Sequence, residues 1–168
     1  MRKLLLIHPD KCQGCMTCEM VCSAKHENSI NPFQSRIKII KWDSEGEGFP
    51  TVCAQCEEAP CKMVCPVQAV SRDEELGRVT VNYDTCIGCR MCVFACPFGV
   101  MQFDSINSRV IKCDLCDGDP ICVKFCPYEA LEYVDRGELS TPKRRTQAKK
   151  LLEYLSGDGL TGSHKKES

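Results

Sequence analysis

The sequence predicts an α+β fold of short strands and short helices, and three observations predict it. Sixteen of the 168 residues are cysteine, a density that means disulfides or metal. Those cysteines fall into four groups of four with none left over. Between the groups lie only brief stretches of strand-like alternation or helix-like spacing.

The groups are Cys12, Cys15, Cys18 and Cys22; Cys53, Cys56, Cys61 and Cys65; Cys86, Cys89, Cys92 and Cys96; and Cys113, Cys116, Cys122 and Cys126. The first and third have the spacing C-x2-C-x2-C-x3-C, which is that of bacterial ferredoxins. The second and fourth widen the middle gap by two and three residues. Pro66, Pro97 and Pro127 directly follow the last cysteine of three groups, and Ser23 stands there in the first.

Iron–sulfur chemistry explains this pattern. Three cysteines in a tight loop can each reach a different corner iron of a cuboidal cluster. The fourth sits at the start of a helical turn and points away, and in two-cluster ferredoxins it ligates the other cluster. Gly14 and Gly88 suit a backbone that curls closely around inorganic sulfur. Zinc scaffolds instead use two C-x2-C knuckles separated by a longer loop. No C-x2-C-H occurs to attach a haem. The reading is therefore 4Fe–4S clusters on all sixteen cysteines.

Charge and compartment agree with metal. The formal net charge is −1, with no basic excess to suit nucleic acid. Each 4Fe–4S cluster with its thiolates adds about −2, so four bring the total to roughly −9. Arg2 and Lys3 are followed by only Leu4, Leu5, Leu6 and Ile7 before His8, Pro9 and Asp10 interrupt, which is too short for a secretory leader. No run approaches the ~20 apolar residues of a membrane helix. A cytoplasmic protein with reduced thiols is expected. No G-x-G-x-x-G, P-loop or nucleophile motif is present, so electron transfer rather than catalysis is expected of the chain on its own.

The elements follow in order. Residues 3–8 are a short apolar run before the first loop. Residues 78–83 alternate as a strand before the third, and residues 100–104 and 109–112 read as a hairpin turning at 105–108. Residues 130–134 form a strand after the fourth group. Each motif tail (residues 18–25, 61–70, 92–100 and 122–131) supports about two helical turns. The lone Trp42 closes the run 37–42 and reads as packing. Thr141 and Pro142 start a C-terminal helix, whose apolar stripe is Ala148, Leu151, Leu152 and Leu155. Its other face is basic, with Lys143, Arg144, Arg145, Lys149 and Lys150, and Gly157 ends it. Residues 158–168 read as a disordered tail. His8 and His26 read as surface or capping residues. Glu57, Glu58, Asp114, Asp117 and Asp119 read as exposed loop residues, with partner recognition as the second reading.

The four groups, with the widened second and fourth, resemble the four-cluster iron–sulfur subunits of molybdenum and tungsten oxidoreductases, such as the dimethyl sulfoxide reductase iron–sulfur subunit. The match covers residues 3–136. The resemblance implies a ferredoxin-like fold of two interleaved dicluster domains. Residues 1–48 with 104–136 would form the outer half, 49–103 the inner half, and 137–168 the C-terminal helix and tail. It implies one cluster on Cys12, Cys15, Cys18 and Cys126, and a second on Cys22, Cys113, Cys116 and Cys122. A third would use Cys53, Cys56, Cys61 and Cys96, and a fourth Cys65, Cys86, Cys89 and Cys92.

The chain's compactness is most similar to the small subunits of tungsten aldehyde oxidoreductase and benzoyl-CoA reductase complexes. The partners then expected are a large tungsten or molybdenum subunit and a further redox subunit such as a flavoprotein or ferredoxin. Self-association into longer cluster chains is a further possibility, and no membrane insertion is expected. A free polyferredoxin, or a subunit of a carbon monoxide dehydrogenase or hydrogenase, is the alternative.

Overall fold

The computed structural model describes residues 3–41 and 48–137. Trp42 and the expected C-terminal helix lie outside them. The described chain folds as small antiparallel strand pairs linked by helical turns, an α+β architecture.

The first described strand, β1 (Lys3–Ile7), pairs with the last described one, β8 (Leu131–Asp135), with Lys3 opposite Asp135 and Ile7 opposite Leu131. The His8 N–H donates to the Ala130 carbonyl at 2.9 Å and extends the ladder. Leu5 and Leu131 are the buried members of the pair, which is what an apolar run with one covered face should give. A second pair, β2 (Ile37–Lys41) with β3 (Gly48–Val52), was not foreseen. Pro50 lies within β3, where two strands alone leave it an unpaired edge to face. The start of β3 passes very close to the first cysteine loop. A Cβ on Gly48 would stand 2.6 Å from the Gly14 Cα.

The other two pairs are β4 (Val70–Arg72) with β5 (Val79–Val81), and β6 (Gln102–Asp104) with β7 (Arg109–Ile111). The β6–β7 hairpin turns where the sequence places it. Asp104 builds the turn by accepting the N–H groups of Ile106 (2.9 Å) and Asn107 (3.4 Å) on Oδ1.

The helices correct the expectation of two turns per motif tail. Three of them, α2 (Pro60–Met63), α3 (Met91–Phe94) and α4 (Ile121–Lys124), are single turns, whereas α1 (Thr17–Glu27) runs for 11 residues. Proline is the cause. Pro66, Pro97 and Pro127 disfavour helical backbone at the cysteine before them, so the short helices stop two residues ahead of Cys65, Cys96 and Cys126. The chain then turns through the left-handed residues Gln68 (φ +53), Gly99 (φ +61) and Glu129 (φ +51). After the first of these turns it enters β4, which starts at Val70, the last residue of the expected helical tail. Ser23, fully buried, replaces proline in the first group. Its hydroxyl donates to the carbonyls of Glu19 (3.1 Å) and Met20 (3.0 Å) and accepts the N–H of Asn31 (3.1 Å). The helix therefore continues through this position to Glu27.

Two cores result. One gathers Leu5, Ile37 and Val100 with Leu115 and Leu131, so it draws on both ends of the described chain. The other gathers Ala59, Val70, Val79, Met101 and Val110 from its middle. Cysteines are built into both: Cys18, Cys22, Cys53, Cys113 and Cys122 in the first and Cys92 in the second. No helix among the described residues is long and apolar enough to cross a membrane.

Candidate metal centres

Each cysteine group begins with the same backbone device. The residue before the second cysteine is left-handed in all four: Gly14 (φ +63), Gln55 (φ +49), Gly88 (φ +66) and Leu115 (φ +59). This kink turns the first two cysteines of a group toward one space. Glycine adopts it freely, whereas the two other residues take on a conformational cost of about 1 kcal/mol each. Both are buried and held. The Gln55 amide donates to the Cys113 carbonyl at 2.9 Å and accepts the Val79 N–H at 2.8 Å.

Four small cavities follow, each with about 290 to 350 Å³ of empty space. Cys12, Cys15, Cys18 and Cys126 line one. Cys22, Cys113, Cys116 and Cys122 line the next. Cys53, Cys56, Cys61 and Cys96 line a third, and Cys65, Cys86, Cys89 and Cys92 the last. Every cysteine lines one of the four, and each cavity takes three from one group and one from another. All sixteen are free of disulfides.

Several of these thiols sit where a proton leaves only with difficulty. Burial pushes Cys18 up to about 12 and Cys92 up to about 11. Burial likewise raises Cys113 and Cys122, with the neighbouring Cys113 raising Cys122 further. A buried thiolate set of this kind needs a positive partner to exist, and iron supplies it while displacing the protons. Four sulfurs in a largely apolar wall are the donor set of a soft metal centre, and a 4Fe–4S cluster takes four thiolates. The residues fit such a group. Backbone N–H groups already point at two of the sulfurs, from Arg36 to Cys22 and from Ala130 to Cys126, both at 3.3 Å.

The histidines divide. His8 stays near the surface, 3.1 Å from Glu132. His26 corrects the surface reading: it is partly buried, with Nε2 3.5 Å from both the Cys116 Sγ and the Asp114 Oδ1. Burial, aided by the Arg36 guanidinium, lowers its basicity. The loop acids are also less free than expected, since Asp114 meets Arg36 at 3.5 Å, Asp117 meets Arg78 at 2.6 Å and Asp119 meets Lys124 at 2.5 Å.

The sequence reading missed Arg36 and Lys112, two buried cations that line the second and third of these cavities. Arg36 has partners in Glu27 (3.7 Å) and Asp114 (3.5 Å). Lys112 donates to the carbonyls of Val79 and Cys113, the latter at 2.8 Å. Burial raises the nearby Cys61 thiol, and the Lys112 charge pulls it partly back.

The sequence profile of 4Fe-4S dicluster domains matches residues 44–136, more than half of the chain. The chain belongs to the 4Fe–4S dicluster family. A second profile, of 4Fe-4S binding domains, matches residues 9–25 around the first group. Iron–sulfur binding is thus a property of this family chain.

Its relatives are electron-transport proteins. The polyferredoxin-like subunit of an aliphatic sulfonate oxidoreductase from Pyrococcus furiosus is 45% identical over 109 residues, covering 65% of this chain and 62% of that one. The putative electron transport protein YsaA of Escherichia coli is 42% identical over 125 residues, covering 67% and 75%. Formate hydrogenlyase subunit 2 of the same species is 37% identical over 103 residues, covering 61% and 49%. The chain spans between 49% and 75% of the length of these three curated relatives. Among solved structures, the active site complex BamBC of benzoyl coenzyme A reductase overlays 96% of this chain on 92% of its own at 31% identity. The TM-score is 0.49, too loose to carry an argument.

Proposed function

We propose that the chain carries four 4Fe–4S clusters and relays single electrons between a catalytic subunit and a second redox partner. One observation carries the reading: four cavities of like size, each lined by four cysteines, account for all sixteen. The ligand sets are then the four cavity sets. The last cysteine of each group crosses to a neighbouring centre, which makes two interleaved dicluster units, residues 1–48 with 104–136 and residues 49–103. The two cores follow that division only in part, since Cys53 and Val100 of the inner half join the first and Val110 of the outer half joins the second.

A bound cluster accepts and returns one electron, at a potential set by charge, exposure and hydrogen bonds to sulfur. The chain's own residues do the rest. The left-handed kinks hold the sulfurs on one space, and the apolar walls shield the buried ones from water. The Arg36 and Ala130 N–H groups hydrogen-bond to the Cys22 and Cys126 sulfurs. Cys15 and Cys89 are the exposed ligands, so their cavities are where electrons enter and leave. The cavity of Cys22, Cys113, Cys116 and Cys122 is walled by buried cysteines throughout, as suits an interior stop.

The partner we favour is a large tungsten or molybdenum subunit in the cytoplasm. A formate hydrogenlyase or hydrogenase-type complex is the second reading, favoured by the likeness to formate hydrogenlyase subunit 2. The test is anaerobic purification from the native host followed by elemental analysis. About sixteen iron atoms per chain with tungsten or molybdenum support the first reading, and the same iron with nickel the second. Iron without another metal indicates a free polyferredoxin. Zinc without iron overturns the proposal.

A further inference from the structure

Lys112 is the strongest unexplained group in the molecule. It lies between β7 and the fourth cysteine group and is 2% exposed. Its ammonium donates only to backbone carbonyls, those of Val79 and Cys113. No carboxylate among the described residues pairs with it. A buried cation without a counter-charge is expensive and persists only where something negative offsets it. The wall it belongs to is that of the Cys53, Cys56, Cys61 and Cys96 cavity.

The other three cavities differ. Arg36 lines the Cys22 cavity but its charge is met by Glu27 and Asp114. Arg90 lines the Cys65 cavity from the surface, where its guanidinium stacks 3.7 Å from the centre of the Phe103 ring. No charged side chain lines the Cys12 cavity. Among the described residues, Lys112 is therefore the one buried cation at a sulfur set whose charge no side chain cancels.

We propose that Lys112 sets the reduction potential of the centre on Cys53, Cys56, Cys61 and Cys96 and makes it the most readily reduced of the four. This rests on the four-cluster reading above. The step is the transfer of one electron from a reduced neighbouring centre, with no proton moved and no bond formed. It takes the cluster and its thiolates from about −2 to about −3, and a fixed positive charge in a poorly screened interior favours the more negative state. An electron entering from either exposed end then comes to rest in the interior, at the seam between the two cores. Lys112 acts through charge and touches no substrate.

The test is a dithionite titration of the holoprotein followed by electron paramagnetic resonance, comparing the unaltered chain with Lys112→Met and Lys112→Arg. Iron content is measured on each sample. In the unaltered chain one signal is expected to develop first. In Lys112→Met that same signal should shift to lower potential by a factor of at least ten in its reduced fraction, about 59 mV for one electron. The other three should move less, and iron content should be unchanged. Lys112→Arg should keep the original order. Unmoved potentials with full iron content overturn the proposal, as does an equal shift of all four signals. Loss of iron from both Lys112→Met and Lys112→Gln, with retention in Lys112→Arg, overturns it in favour of a purely structural lysine. Iron content of the unaltered chain judges the four-cluster reading separately, and a chain lacking the cluster on those four cysteines overturns both.

Discussion

At the scale of single residues, small chemical differences at equivalent motif positions have large structural effects. Ser23 occupies the place that proline fills in the other three groups, and α1 runs on through it. Ser23→Pro should break that helix and strip the Asn31 N–H of its acceptor, costing about 3 kcal/mol or more, which a lower urea midpoint for loss of iron–sulfur absorbance would report. Gln55 holds a left-handed position and two buried backbone groups. Gln55→Ala should cost about 2 to 4 kcal/mol by leaving the Val79 N–H and Cys113 carbonyl short of a partner. Gln55→Gly loses the same bonds but relieves the backbone, so it should be the milder of the two by about 1 kcal/mol in the same urea assay. The sixteen cysteines were legible in the sequence because chemistry fixes their spacing. Lys112 was not. Lys11 and Lys112 each directly precede the first cysteine of a group, and one is exposed while the other is almost wholly covered. Only the packing of β5 and the second cysteine loop over that position makes the difference.

At the scale of elements, the β6–β7 hairpin shows how a locally written structure is tied to distant chain. Asp104 Oδ2 accepts Gln34 Nε2 at 3.0 Å and Asn107 Nδ2 at 2.7 Å, joining the hairpin to the segment after α1. Arg109 adds a two-pronged contact to Glu27, at 2.8 and 2.6 Å. Burial pushes the Asp104 carboxyl up, but these donors outweigh it and hold it below its ordinary value. Asp104→Asn would turn an NH2 group toward two donors, so a loss of about 1 to 2 kcal/mol is expected. Faster hydrogen exchange at Val110 and Ile111 would register it. This hairpin could be read from its alternation and polar turn. The β2–β3 pair could not, since its link is long and β3 contains a proline and a glycine. The motif tails were overread as helix because proline acts on the residue before it, a constraint stronger than the helical preference of the cysteine-flanking residues.

At the scale of the whole molecule, the described chain spends its cysteines where other proteins spend leucines. Both cores count cysteine among their buried members, so the metal and the fold should be lost together. Removing iron with a chelator under reducing conditions should abolish hydrogen-exchange protection across β1 and β8, which close over the first core. Retention of that protection in iron-free protein would show that the apolar contacts suffice alone. The α+β class and the shortness of the elements were readable from composition and spacing. Which strands pair was not, because nothing local in residues 3–7 says that their partner lies beyond residue 130.

That pairing of first strand with last bears on how the protein is made. At a synthesis rate of about 5 to 20 residues per second, β1 waits roughly six to twenty-five seconds before the ribosome has produced β8. The middle core needs no such delay, since its residues run only from Ala59 to Val110. A nascent chain therefore exposes its earliest thiols, unprotected, until the last cysteine, Cys126, and the strand after it have emerged. Oxidation or stray metal during that interval is a hazard of birth, one that ends once β1 and β8 have zipped together.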